Sequence, residues 1–335
     1  MESNLEINNI QDLYNLFDLI FLKEVKPYIE NRFPRNEYTA PVYYILDNFK
    51  IRRFRAALPL IIAENLGVPK EKVIPIAATS ELMFCIALVQ DDFFDKSETR
   101  GDIKSAHIKY SPEIAMASSD YSYTFVIKIL SELSRLDISS KVIEKVYLSF
   151  IEIQEKVFES FLMELMNKSD INFNLEEVIK LHKLKTIHGI NTLYSTMLIC
   201  DEFNKTDNTH KIKEYCELLA IAGQIKNDIY DLTRYRKTRG LTDLINGYLN
   251  YPLGKLLYYL NNDEKNKLAE LFKDKKVEDI LNMIQKKKII EKCIEDCINY
   301  ANQGEKIIES LFNDKLKKIL LIWSEGNKII KDQVF

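Results

Sequence analysis

The chain has 335 residues, 46% of them hydrophobic and 29% charged, with a formal net charge of −3. That balance excludes a disordered chain and a polyanion binder, and the basic residues are spread too evenly to suggest nucleic acid. Nine glycines and eight prolines are too few for a turn-rich all-β protein, and the Lys, Glu, Leu and Ile content favours helices. Cys85, Cys200, Cys216, Cys293 and Cys297 lie in apolar runs. Nothing completes a zinc site, so all five read as reduced core thiols of a cytoplasmic protein. No segment reads as able to span a membrane, residues 13–22 being interrupted by Asn15 and Asp18, and no signal peptide is expected.

Apolar positions at Ile10, Leu13, Leu16, Phe17, Ile20, Phe21 and Val25 predict an amphipathic helix over 9–33, broken at Pro34. A second helix is expected over 40–65, with the cationic run Lys50-Ile51-Arg52-Arg53-Phe54-Arg55 inside it and Gly67-Val68-Pro69 ending it. The third, 70–96, is nearly all apolar through 75–89 and should be buried on all sides. It runs into Asp91-Asp92-Phe93-Phe94-Asp95. A polar loop over 97–111 precedes helices at 113–136 and 139–167. Asn174, followed by Glu176 and Glu177, reads as the N-cap of a helix to about residue 200 that bears Lys185-Thr186. The next helix, 211–235, carries Gln224 and Asn227-Asp228-Ile229-Tyr230-Asp231. A loop with Asp243 and Gly247 leads to Pro252, and 253–335 reads as shorter helices. No strand alternation or Gly-rich phosphate loop is found, so the expectation is one all-α bundle domain spanning 1–335.

Asp91 and Asp95 sit one helical turn apart, with Asp92 about 100° round. Carboxylates so placed suit Mg²⁺, which keeps some positions for water or phosphate. A solvated acidic helix end is the plainer reading, but three apolar turns lead into Asp91. Gln224, Asp228 and Asp231 form a second stripe, with Asn227 one turn before Asp231. If both acidic sets face one cavity, hard cations gather at its mouth above an apolar floor, and Arg52, Arg53, Arg100 and Lys185 add positive charge. A diphosphate fits such a place. Phe84, Phe93, Phe94, Tyr194 and Tyr230 are candidates to steady a carbocation, although core packing is the commoner role for each.

With these motifs the chain resembles the trans-isoprenyl diphosphate synthases of the class I isoprenoid (terpenoid) synthase fold over about residues 35–260. Asp91-Asp92-Phe93-Phe94-Asp95 matches the first DDxxD motif, with Arg100 and His107 following. Lys185-Thr186 matches the KT pair, and Gln224 with residues 227–231 matches the second Asp-rich motif, Asn standing first. Asp243, Gly247 and Pro252 match a trailing segment. The resemblance implies three Mg²⁺ ions, an allylic prenyl diphosphate of farnesyl or geranylgeranyl class, and a homodimer. It places metal on Asp91, Asp92, Asp95 and Asp228, with Asn227 and Asp231 in support. It places substrate against Arg100, Lys185, Thr186, Gln224, Arg52, Arg53, Phe84 and Ala87.

The departures concern the second substrate of the chain-elongating members, isopentenyl diphosphate. Their Gly-Gly-Lys-Arg segment is here Lys50-Ile51-Arg52-Arg53, a His or Gln seven residues before the motif is Phe84, and the second Arg of an Arg-Arg-Gly loop is Gly101. A trailing Lys is Tyr248. Losing a hydrogen-bonding group and a cation makes burial of a second diphosphate costly. The expectation is therefore a terpene synthase that ionises one allylic diphosphate and cyclises or eliminates. The alternatives are a chain-elongating prenyltransferase, a non-catalytic subunit of one, or a transferase to another acceptor.

Overall fold

The computed structural model describes residues 7–50, 52–166, 174–233, 244, 250–309 and 311–329. The expectations for Asp243, Gly247 and Tyr248 fall outside them. The described residues form helices and one antiparallel ladder of two residues a side, Thr99–Arg100 with Ile103–Lys104. They divide into two compact units, each built from separate stretches of chain. The first is Met1–Val157, Ile187–Lys213 and Leu311–Ile322; the second is Phe158–Thr186, Glu214–Ser310 and Trp323–Phe335.

The first unit is built round the Ile74–Phe94 helix, which packs against the helices Ala40–Asn48, Phe54–Asn65 and Pro112–Ser131. Its residues from Ile74 to Met83 and from Cys85 to Gln90 are all buried, so no single face is polar. By length and composition this helix could cross a membrane, against the reading that no segment could. Its apolarity answers instead to burial, since 83% of the apolar window lies inside the protein. In the second unit Tyr251–Tyr259 packs on Ile289–Ile308, and Tyr215, Tyr251, Leu253, Leu256, Cys293 and Ile294 are in the core. All five cysteines are free and buried.

Local chemistry explains most boundaries. Asn174 accepts the Glu177 amide at 3.0 Å while Glu177 accepts the Asn174 amide at 2.9 Å, a reciprocal cap that starts Leu175–Asn204 as expected. The first helix is not continuous over 9–33. Ile10–Ile20 passes through a π turn, Phe21–Val25, into Lys26–Glu30, where Pro27 has no amide hydrogen for the preceding turn.

The 40–65 helix is corrected to two, Ala40–Asn48 and Phe54–Asn65. Phe49 is extended (φ −88°, ψ 127°) and the cationic run lies in the break. Arg53 accounts for it. Its guanidinium donates to the Leu46 carbonyl at 2.7 Å, one of the last carbonyls that a helix end leaves unpaired. It also donates to Glu81 Oε1 at 2.5 Å and lies over the Phe21 ring at 4.0 Å.

Glu81 is 0% exposed and Arg53 6% exposed, so removing one charge strands the other. Arg53→Met should cost about 3–5 kcal/mol, seen as a lower urea midpoint, and adding Glu81→Gln should recover part of it. A loss below about 1 kcal/mol would show that water already screens the pair.

Candidate active site

The buried helix brings Asp91, Asp92 and Asp95 to its C-terminal end. Asp92 is 1% exposed, while Asp91 and Asp95 are half-buried. Arg100 reaches back from the short hairpin. Its Nη2 donates to Asp91 Oδ2 at 2.5 Å and its Nε to Asp92 Oδ2 at 2.9 Å. Burial raises the Asp92 carboxyl above its ordinary value, and Arg100 offsets part of that. Among the described residues no three His, Cys, Asp or Glu side chains converge to hold a metal ion. The donors themselves suit a hard divalent cation, being carboxylate oxygens only, and the single Arg100 charge pairs with Asp91 and Asp92 without cancelling both.

Gly101 and Asp102 form the two-residue turn of that hairpin, and Gly101 has φ +56°. A Cβ there would come within 3.2 Å of the Phe49 ring. A side chain at this position is thus disfavoured by the left-handed backbone and crowded by the Phe49 ring.

In the second unit the Asp-rich stripe is divided. Asp228 is 9% exposed and its Oδ2 is taken: the Tyr251 amide donates to it at 2.7 Å and His182 Nε2 lies at 3.0 Å. The His182 ring stacks on Tyr251 with 5.9 Å between centroids. Asp228 therefore joins three stretches of helix, whereas Asn227 is exposed and Asp231, one turn on, is half-buried. Lys185 pairs with Glu164, and Thr186 donates back to the His182 carbonyl at 2.7 Å. Gln224 is half-buried.

Arg52 and Arg53 part company. Arg53 serves the core as described. Arg52 is exposed, lies over Tyr14 at 5.2 Å and lines a cavity of about 480 Å³ with Asp18, Phe49 and Lys50. Ala87, at 7% exposure, belongs to the wall of the central helix. Phe84 is half-buried, and against it stand two residues that sequence reasoning missed. The Arg55 guanidinium lies over its ring at 3.5 Å, and the His188 ring meets it edge-on with centroids 5.7 Å apart. Arg55 was visible in the cationic run; His188, three residues past Lys185, gave no sequence signal. His182 gave none either.

His188 is 2% exposed, and burial together with the Arg55 charge pushes its imidazole down to about 3. The unfolded chain takes that proton near 6.5, so acidification from 6.5 towards 3 favours unfolding. The His188→Leu variant should therefore lose less melting temperature between pH 7 and pH 4 than the wild type does. Parallel curves for the two proteins would place the imidazole in water.

Comparison with solved structures gives the class. The geranylgeranyl pyrophosphate synthetase from Pyrococcus horikoshii superposes with a TM-score of 0.81 at 18% identity, covering 96% of this chain and 99% of that one. A polyprenyl synthase from Caulobacter crescentus, solved with calcium and isoprenyl diphosphate, gives 0.75 at 15% identity, covering 96% and 98%. The fold is the all-α isoprenoid synthase type. The polyprenyl synthetase family model matches residues 35–292, and the chain belongs to that family.

Among relatives, the geranylgeranyl diphosphate synthase of Saccharolobus solfataricus is 25% identical over 286 residues, 84% of this chain and 83% of that protein. The short chain isoprenyl diphosphate synthase of Methanocaldococcus jannaschii is 24% identical over 215 residues, 62% of this chain and 63% of that protein. These matches overturn the expectation of a terpene synthase. The relatives are named for making prenyl diphosphates, and nothing in the comparisons points to a cyclase. The inference from Phe84 and Gly101 weighed only Arg52 and Arg53 as remaining charge and did not count Arg55, which lies over the Phe84 ring.

Proposed function

We propose that the protein is a chain-elongating trans-prenyltransferase, joining an allylic prenyl diphosphate to isopentenyl diphosphate. The observation that carries this reading is the family match over residues 35–292, with the first aspartate set and Arg100 present and paired in the structure. In the reaction the allylic C–O bond breaks and the diphosphate leaves with the electron pair. The alkene of the second substrate then forms the new C–C bond, and a proton is lost. Mg²⁺, when bound, neutralises the leaving diphosphate. In the first unit Asp91, Asp92 and Asp95 would hold it; in the second, Asn227 and Asp231 are better presented than Asp228. Arg100 and Lys185 offer cationic donors to phosphate oxygens. Ala87 leaves room for an allylic chain of at least farnesyl length.

The test is to incubate the protein and Mg²⁺ with labelled geranyl or farnesyl diphosphate, with and without isopentenyl diphosphate. A product longer by one isoprene unit should form only with both, and Asp91→Ala should lower the rate by more than about a hundredfold, as for loss of a main electrostatic group. Hydrocarbon or alcohol from the allylic substrate alone sinks the reading. No turnover in any mixture points instead to a non-catalytic subunit.

A homodimer belongs to the same reading. Ile114, Tyr121 and Ile127 on one helix of the first unit, and Leu148 and Ile151 on the next, are apolar yet 42–65% exposed, and a partner subunit would cover such side chains. Light scattering should give twice the subunit mass of 39.3 kDa, and Ile127→Asp with Ile151→Asp should shift it towards one subunit. A wild-type monomer at micromolar concentration rejects this.

A further inference from the structure

We propose that Lys226 is a positioning residue for the second metal-binding set: by holding the C-terminal end of the Asp314–Asn327 helix it fixes the turn that presents Asn227 and Asp231. This rests on the reading of Asn227 and Asp231 as metal-binding residues of a chain-elongating enzyme.

Three successive carbonyls, those of Gly326, Asn327 and Lys328, stand where a helix end leaves its acceptors unpaired. Lys226 Nζ donates to the Gly326 carbonyl at 3.0 Å and to the Lys328 carbonyl at 2.8 Å. A cation there also meets the negative end of the helix dipole. The Cys297 thiol lies 3.6 Å from the Asn327 carbonyl and 3.3 Å from that of Ala222. Gly223 permits the close approach, since a Cβ there would lie 3.0 Å from Asn327 Oδ1. All these residues belong to the second unit. Ala222, Gly223 and Lys226 share one stripe of the Thr209–Thr233 helix, and residues 326–328 lie along it.

That stripe ends beside the metal set. Successive helix residues are about 100° apart, so Lys226 and Asp228 stand about 100° to either side of Asn227. Both flanks are tied. Lys226 holds the carbonyls of the last helix, and Asp228 Oδ2 meets the Tyr251 amide at 2.7 Å and His182 Nε2 at 3.0 Å. One tether would let the turn rock about the helix axis; two on opposite flanks fix its rotation. Asn227 is exposed between them, and Asp231 lies one turn on and about 40° further round. The two are thus presented as a pair, and the residues that orient metal ligands matter nearly as much as the ligands.

The experiment measures Mn²⁺ binding by electron paramagnetic resonance with inorganic diphosphate present and no turnover. Melting temperature and the elongation rate at varied Mg²⁺ are followed beside it. Lys226→Met should weaken Mn²⁺ binding and raise the half-activating Mg²⁺ about tenfold. At saturating Mg²⁺, kcat and KM for isopentenyl diphosphate should stay within about twofold of wild type. Lys226→Arg, which keeps several donors, should restore most of the affinity. Ending the chain after Glu325 removes the acceptor carbonyls and should weaken Mn²⁺ binding as much, with no further loss when Lys226→Met is added. Tyr215→Phe separates positioning from stability. Its hydroxyl meets Ser324 Oγ at 3.0 Å, about three turns before Lys226, so this variant should melt lower with Mn²⁺ binding unchanged. Wild-type Mn²⁺ affinity in Lys226→Met overturns the inference whatever the melting temperature. So do additive losses in the double variant, or an equal loss in Tyr215→Phe. If the wild type elongates and its metal affinity ignores Lys226, this inference fails and the functional reading stands. If metal binding depends on Lys226 but no elongation occurs, the reverse holds.

Discussion

The first unit depends on neutralising negative charge along a helix that water does not reach. Ile74–Phe94 carries Glu81 in its middle and Asp91 and Asp92 at its end, with Glu81 and Asp92 almost fully buried. Unpaired, a buried carboxylate takes up a proton or opens the fold. Arg53 answers Glu81 and Arg100 answers the two aspartates. Each arginine also sets backbone: Arg53 closes the end of Ala40–Asn48, and Arg100 sits on the hairpin that Gly101 turns. The break in the second helix and the turn after the aspartates are therefore both tied to charge balance on the third.

That dependence decides what could be read from sequence. The central helix was legible because burial on every side leaves a run without polar positions. The cap at Asn174 was legible because its partners lie three residues apart. The aspartate sets were legible by helical spacing. The break at 49–53 was not, because the partner of Arg53 is 28 residues away and no local pattern points to it. At Asp228 the motif position gives a metal ligand, and it did not show that one carboxylate oxygen also meets His182, 46 residues away, and the Tyr251 amide. In each case the deciding partner lies far away in the sequence, where no local pattern points to it.

The same reasoning explains why counting motif residues misjudged the reaction. A site is a set of charges and donors in space, and a residue lost at one position does not measure the whole. At Gly101 the change suits the backbone: φ +56° is strained for any side chain, and the Phe49 ring crowds a Cβ there. At Phe84 the ring carries the Arg55 guanidinium on its face and the His188 imidazole at its edge, so a cation stays beside the position that the motif count treats as lost.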